Sequence, residues 1–531
     1  MEVEAVESKE SSRGGADRRT PKRDRRVFWA CLFILANNCF QCTAYFGVST
    51  NLVNYLKEQL HESTKSAANG VTNWVGTGSI TPLLAAFLAD AFLGRYWTIA
   101  LFLLISVVAY VVLTVSAAAA LSGAAFYAGL YLLALGGALQ PVLTAFGARG
   151  GAPAAELLLQ LASVSWGLGF GIPALFSALS IAVFLAGTTA YRSHQRPAGS
   201  PLTRVAQVVV AAVRKCGVRV PEDASTLHEC DAADGMSAIQ GSRRLAHTDQ
   251  FRFLDKAAVE TSDDDKARPS AWRLCTVTQV EELKCVLRLL PVWASGIVFA
   301  AAYTQMGTTF VLQGNTLDPY VGGFRVPAAV LSVFDTLSVM LWVPLYDRVV
   351  VPLARRATGH DGGFTQLARM GVGLLVLAAA MLAAGALEVQ RRRVIASHGM
   401  YDSNTGADGD GKYLPMSIFW QVPQYVVVGA SEVFTFIGQM EFFYDQAPDA
   451  MRSLCSGLSM TSFALGNYVS TALVTVVARV TARGGSDGWI PDDINRAHLD
   501  NFFWLLAVMS IANFAVYLLI ARWYTYKKTV D

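Results

Sequence analysis

The chain has little charge for its length. Only 16% of its 531 residues are Asp, Glu, Lys or Arg, and 53% are hydrophobic, whereas soluble domains carry about a quarter charged residues. Eleven apolar runs approach or exceed the 20 or so residues that a helix needs to cross a hydrocarbon core of about 30 Å. The sequence therefore excludes a soluble fold and predicts an all-α, polytopic membrane protein. The runs span residues 27–56, 71–88, 98–119, 124–146, 166–188, 286–311, 328–350, 367–387, 416–443, 454–480 and 502–524.

Motifs of the common enzyme classes are missing as well. The sequence has no Walker loop, no Gly-x-Ser-x-Gly and no His pair with zinc spacing. One Cys-x-x-Cys, formed by Cys39 and Cys42, lies inside the first apolar run, and no second pair completes a metal site. We therefore expect neither an enzyme nor a metal or cofactor site.

The basic residues are concentrated just before the first apolar run, between residues 18 and 26. By the positive-inside rule this places the N-terminus in the cytosol. Nucleic-acid binding is the alternative for such a run, but its position flush against a predicted span favours a topology signal, and we expect the partner to be the lipid bilayer. The predicted domains are a disordered basic N-terminus (1–26), a first bundle (27–190), a cytosolic linker (191–282), a second bundle (283–526) and a cytosolic tail (527–531).

The linker holds one segment, residues 203–215, that is apolar on one side and basic at both ends. It predicts a short helix, which either lies on the membrane surface or packs against the bundles. Residues 225–266 contain acidic runs and are expected to be mobile.

A carboxylate lies in the middle of the ninth apolar run. Glu432 is surrounded by Gly429-Ala430-Ser431 and Val433-Phe434. Because a charged group at this depth is costly, it usually faces a protein cavity and marks a solute or proton path.

Several short motifs are similar to those of the proton-coupled oligopeptide transporter family, in its plant nitrate-and-peptide branch, and the second half resembles the peptide-transporting subgroup. The resemblance implies a major-facilitator fold of nominally six plus six helices that works by alternating access around a central cavity. The motifs are YFGVSTNLV (45–53), LADAFLGRYW (88–97), CTVTQVEELK (275–284), VLQGNT (311–316), FDTLS (334–338) and EFFYDQAP (441–448).

The resemblance also implies roles for individual residues. Glu432 is the expected anchor for a substrate amino group, and Asp90 with Arg95, like Asp347 with Arg348, fits a structural turn motif. For the aromatic residues among the cavity candidates, packing is an equally good interpretation. The other cavity candidates are Tyr45, Phe46, Trp293, Tyr303, Gln305, Asp335 and Asn467.

The first half departs from the family pattern. The family places Glu-x-x-Glu-Arg (or Lys) on the first span, and Asn38, Gln41 and Cys42 stand at those positions. Gln140 replaces the lysine of the fourth span. Amides do not titrate in the physiological range, so we expect proton coupling in the first bundle to be impaired. Replacing both acids and both bases leaves no unpaired buried charge, which makes the change physically tolerable.

A second departure lies before the span that starts near Trp166. Residues 153–166 would rise only about 21 Å as a helix, too little to cross the membrane comfortably. Either the fifth helix is shortened, or the first half has five crossings. A gene-model error explains the shortening as well as real divergence does.

The favoured function is a secondary transporter of a small solute, peptide-like or nitrate or another small organic molecule, with protons as possible co-substrate. The alternative is a non-transporting or decayed paralogue, or a membrane sensor. We expect the plasma membrane, with the vacuolar membrane as alternative, and both termini in the cytosol. The sequence does not select the solute or the oligomeric state.

Overall fold

A computed structural model describes most of the chain. Gln140, residues 1–20, most of the predicted fifth span and the side chains of Asp90 and Arg95 lie outside the described part. The described residues are 21–119, 122–137, 166–189, 201–221, 223, 226–229, 243–261, 270–321, 324–359, 363–401, 413–482, 488–491 and 493–528.

Helices of the first half coincide with the first five apolar runs. The first two are joined by a short turn in which the Ser63 hydroxyl accepts a hydrogen bond from the Ser66 amide at 3.3 Å, capping the second helix. These helices are α1 (Pro21–Glu58), α2 (Thr64–Leu88), α3 (Gly94–Ala118), α4 (Gly123–Gly136) and α5 (Trp166–Ala186).

An aromatic cluster holds one end of the first bundle together. Tyr55 at the end of α1 stacks on Phe126 in α4, with 4.4 Å between ring centroids. Both rings contact Phe170 in α5, at 5.2 and 5.6 Å. The starts of α4 and α5 therefore meet at the same end of the bundle. The predicted shortened fifth span falls between these helices, outside the described residues.

The linker contributes the helix α6 (Pro201–Arg214). Its Val208 and Ala211 are fully buried against the turn Arg252–Ala258, in a small core of its own. Of the two alternatives for this helix, the structure adopts packing against protein. The expected mobility of residues 225–266 is wrong for 243–261, because Leu254 is buried in the same core.

Ion pairs attach the linker to the second half. Arg204 of α6 pairs with Glu282 at 3.3 Å. Arg243 pairs with Asp449 at 3.1 Å, and Arg452 approaches the same carboxylate at 2.8 Å. The linker is thus packed onto the cytosolic-predicted face of the second bundle.

Helices of the second half fill the six remaining apolar runs, several in two pieces. They enclose the largest hydrophobic core of the described chain. The helices are α7 (Val277–Tyr303), α8 (Thr309–Gly314), α9 (Ser332–Leu345), α10 (Val351–Thr358), α11 (Gln366–His398), α12 (Val422–Glu432), α13 (Gly438–Gln446), α14 (Arg452–Thr481) and α15 (Leu499–Trp523).

Short strands join the loops between these helices. The strands are β1 (Leu317–Asp318), β2 (Tyr320–Val321), β3 (Phe324–Arg325) and β4 (Leu414–Ser417). Strand β1 pairs in parallel with β4, and β2 pairs antiparallel with β3.

Two π-helical turns occupy corresponding places in the halves. Ala89–Leu93 follows the second helix of the first bundle, and Tyr346–Val350 follows α9, the second crossing of the second half. Each turn contains the acid of the predicted structural motif, Asp90 or Asp347. Such matched irregularities are the mark of an internal repeat.

Eight segments of the described chain are long and apolar enough to cross a membrane, and α4 is a shorter apolar helix. The two halves meet where α2 lies against α14. Thr77 and Tyr468 share a hydrogen bond of 2.8 Å, and the Thr471 hydroxyl donates to Asn73 Oδ1 at 3.1 Å. The interface between the halves is therefore partly polar where α2 packs on α14.

Candidate functional site

Glu432 is the last residue of α12, where the helix passes into the π-turn Val433–Ile437. Its side chain is partly buried among the helices of the second bundle. The Tyr303 hydroxyl at the end of α7 donates to Glu432 Oε2 at 3.0 Å. π-turns within helices occur frequently at functional sites, and here the turn follows directly on the buried acid.

Asp335 brings a second carboxyl group to the same place. It lies in the first turn of α9 and is 6% exposed. A side chain at Gly429 would come within 2.7 Å of the Asp335 carbonyl oxygen, so glycine permits α9 and α12 to approach this closely. The same added side chain would lie 3.0 Å from Asp335 Oδ1, so the Asp335 carboxyl group lies beside α12, one helical turn before Glu432. Three predicted site residues, Asp335, Glu432 and Tyr303, therefore lie in one cluster. We call Asp335 and Glu432 the acidic pair.

A second polar seam runs between α7 and α14. Gln305 Nε2 donates to Ser470 Oγ at 2.7 Å. Thr304, in the short turn after α7, donates to Asn467 Oδ1 at 3.0 Å. Gln305 and Asn467 are both buried, and their contacts hold the two helices in register.

The aromatic candidates are more dispersed. Trp293 donates from its indole to Thr461 Oγ1 at 2.9 Å, on a different turn of α7 from Tyr303. Tyr45 stacks on Trp74 with 5.4 Å between centroids, and Phe46 contacts Tyr45 edge-on at 5.7 Å. Tyr45 and Phe46 thus combine packing within the first bundle with partial exposure.

Polar side chains of α1 form what we call the neutral cluster. Gln41 donates to Ser177 of α5 at 3.4 Å, and Cys42 donates to Asn38 at 3.6 Å. Asn37 accepts a hydrogen bond from Ser180. These three hydrogen bonds join uncharged groups, and the side chains that form them are buried. The members are Asn37, Asn38, Gln41, Cys42, Ser177 and Ser180.

The turn-motif residues lie away from this centre. Asp347 and Arg348 are exposed within their π-turn. Of Asp90 and Arg95 only the backbone is described, in the first π-turn and at the start of α3. Their predicted structural role stays a prediction.

One buried charged group was not foreseen from the sequence. On α7, Lys284 contacts Glu281 at 2.9 Å and Asp255 of the linker at 2.6 Å, while Arg288 contacts Glu281 at 3.0 Å. His247 joins the group through Asp255 at 3.1 Å. His247, Asp255 and Glu281 have ligand atoms close enough to hold a metal ion, but the two bases already neutralise both carboxylates. The spacing of three and four residues on one helix face was the available signal.

A second unforeseen network lies within α11. Arg391 and Glu388 are fully buried and form two contacts, at 2.6 and 2.9 Å. Gln313 of α8 donates to the same carboxylate at 2.6 Å. This network joins α11 to the chain around Thr316 and Ile494 through further bonds from Arg391.

Two bundles of apolar helices with a polar site inside define the class: an α-helical integral membrane transporter. A family model described as "PTR2: POT family" matches residues 154–490. The chain belongs to this family, and its fold is that of the major facilitator proteins.

Plant relatives and solved structures agree with this assignment. From Arabidopsis thaliana, NRT1/PTR FAMILY 8.1 is 50% identical over 548 aligned positions and NRT1/PTR FAMILY 8.2 is 51% identical over 546, each covering 94% of both chains. The auto-inhibited POT family peptide transporter superposes with a TM-score of 0.65 at 21% identity, covering 94% of this chain and 98% of the other. PepTSo gives 0.64 at 22% identity, covering 93% and 98%.

Proposed function

We propose that the protein carries a small organic solute across the membrane by alternating access, with Glu432 holding a substrate amino group. The observation that carries this proposal is the position of Glu432. Its carboxylate lies inside the second bundle and is hydrogen-bonded at 3.0 Å by a neutral phenol, Tyr303. A carboxylate kept among apolar helices without a base is costly, and an amino group of a bound solute would offset that cost.

The family's plant members and peptide transporters support a di- or tripeptide-like solute, with nitrate as the other named possibility. An acid suits a protonated amine and repels nitrate. We therefore place amine-bearing solutes ahead of nitrate.

Proton coupling in the first bundle is impaired in this proposal. Asn38, Gln41 and Cys42 hydrogen-bond within the neutral cluster and carry no charge at physiological pH. Any proton that accompanies the solute would travel on the acidic pair of the second bundle.

The two bundles, residues 27–190 and 283–526, are the proposed moving bodies. Linker residues 191–282 accompany the second bundle, as the Arg204–Glu282 and Arg243–Asp449 ion pairs suggest. Both termini are placed in the cytosol, and the plasma membrane is preferred over the vacuolar membrane.

Uptake into expressing oocytes tests the proposal. A labelled dipeptide, nitrate and a plant-hormone panel are each offered at two external pH values. We expect saturable uptake of an amine-bearing solute, lost in Glu432→Gln. The control is Glu260→Gln, a linker carboxylate that is 56% exposed and pairs with His228. Uptake by Glu432→Gln equal to wild type, at equal surface expression, would refute the proposed anchor.

A non-transporting membrane protein is the second candidate, because one observation favours it. The alignment with NRT1/PTR FAMILY 8.1 spans 548 positions, more than the 531 residues of this chain, so that relative has residues that this chain lacks. Sequencing the transcript across Ala148–Trp166 tests this candidate. A message that encodes a longer segment there would remove half of its support.

A further inference from the structure

The acidic pair has no counter-charge within the described residues. Asp335 is 6% exposed, and its Oδ1 atom has no hydrogen-bond partner among them. Glu432 is bonded by Tyr303, which is uncharged. Neither carboxylate belongs to an ion pair in the described part of the chain, although other buried acids such as Glu281 and Glu388 are paired with bases.

The two carboxyl groups of the acidic pair come from different helices that pack closely together. Asp335 comes from α9 and Glu432 from α12, and they are brought together by the close approach at Gly429. Gly429 lies one helical turn before Glu432 on α12, and both carboxyl groups are negative when ionised. Even when such a pair shares one proton, it retains one negative charge. A buried negative charge without a partner is unfavourable, and a bound cation relieves it.

The neutral cluster of the first bundle contains no basic group that could hold a carboxylate of a solute. The neutral cluster presents amides, a thiol and serine hydroxyls, which already hydrogen-bond among themselves. The sequence places another amide, Gln140, beyond the described residues of the fourth helix. A solute carboxylate would lose its water and gain no opposite charge in return.

We propose that Asp335 and Glu432 together form a cation site, and that the protein selects amines with a net positive charge over zwitterions with a free carboxylate. This inference rests on the proposed function and assigns its substrate class. Asp335 is the specificity residue, since it turns a single anchor for an amino group into a site with excess negative charge.

A nearly isosteric pair of solutes tests the selection. Alanyl-alanine is a zwitterion at neutral pH, and its C-terminal amide is a cation of almost the same size. Uptake of each is measured in oocytes clamped at one membrane potential, so that the driving force on the charge is constant across variants. We expect wild type to take up the amide at least tenfold better, since a hydrogen bond to a charged group contributes roughly a tenfold effect or more.

Asp335→Asn removes the second acid with little change of shape. We expect the ratio of amide to dipeptide uptake to fall about tenfold in this variant, and to stay at the wild-type value in Glu260→Gln. If Asp335→Asn does not reach the cell surface, Asp335→Ser supplies the decision, because it also removes the second acid and keeps Glu432 in place.

The outcomes separate the two proposals. Equal or preferred uptake of the dipeptide by wild type would overturn the cation site and leave transport intact. An unchanged ratio in the acid variant that reaches the surface would overturn it as well. Uptake of neither solute, nor of any member of the earlier panel, by wild type at the surface would instead overturn the proposed function.

Discussion

The buried pair Glu388–Arg391 allows a quantitative test of the second bundle. Both side chains are fully buried, and the guanidinium contacts the carboxylate at 2.6 and 2.9 Å. Glu388→Ala removes the acid and leaves a buried, uncompensated charge on Arg391. Breaking a buried pair in this way costs about 3–5 kcal/mol. We expect the free energy of unfolding, measured by titrating the purified protein with SDS in mixed micelles, to fall by about that amount.

The next residue along the helix supplies a matched control. Arg392 is 36% exposed and pairs with Asp500 at 3.1 Å, so Arg392→Ala should cost no more than about 1 kcal/mol. Replacing Glu388 and Arg391 together by methionine should recover most of the lost stability, since an apolar pair of similar volume is often as stable as the ion pair. If Glu388→Ala costs no more than Arg392→Ala, the reasoning about the uncompensated charge is wrong.

Three further predictions concern transport and the linker. Transport should depend only weakly on external pH, because amides replace the acids that would exchange a proton in the first bundle. A steep proton-driven current that persists in Glu432→Gln would contradict this. Gly429→Ala should reduce solute uptake about tenfold or more at normal surface expression. The added methyl group would lie 2.7 Å from the Asp335 carbonyl oxygen and push α9 away from α12. Unchanged uptake would show that the close approach is dispensable. Burial alone would raise the pKa of Asp449, but the hydrogen bond from Arg243 and the charge of Lys527 lower it below its usual range. The stabilisation by this contact is therefore present above about pH 4 and lost as the pH falls through the lowered pKa. At pH 7, hydrogen–deuterium exchange of residues 243–258 should be faster in Arg243→Ala than in wild type. In wild type, the protection of these residues relative to the intrinsic exchange rate should fall only under acid. Equal exchange in both proteins at pH 7 would refute the contact.

Helix positions were largely predictable because lipid imposes a simple rule on sequence. Each apolar run coincides with a helix wherever the structure describes it, and the motif residues at Asp347 and Arg348 do lie at a helix irregularity. Length and hydropathy suffice for this, since every backbone group in a membrane must be satisfied within its own helix.

Pairings across the bundle were not predictable in the same way. Asp335 and Glu432 were separate candidates about a hundred residues apart in sequence, and only the packing of α9 on α12 makes them a pair. The serines of α5 that bind the neutral cluster gave no sequence signal, because Ser177 and Ser180 are ordinary in an apolar helix. The folded part of the linker was missed since its apolar residues are few and its acidic runs are conspicuous.

The π-turn after Glu432 has a mechanical consequence. A turn of this kind holds one residue more than a regular helical turn, and each residue of an α-helix corresponds to about 100° of rotation. Shifting the surplus residue past Glu432 would swing the carboxylate to a different side of its helix while most backbone hydrogen bonds remain in place. A local change of winding at this turn would therefore alter the direction of the carboxylate within its own helix.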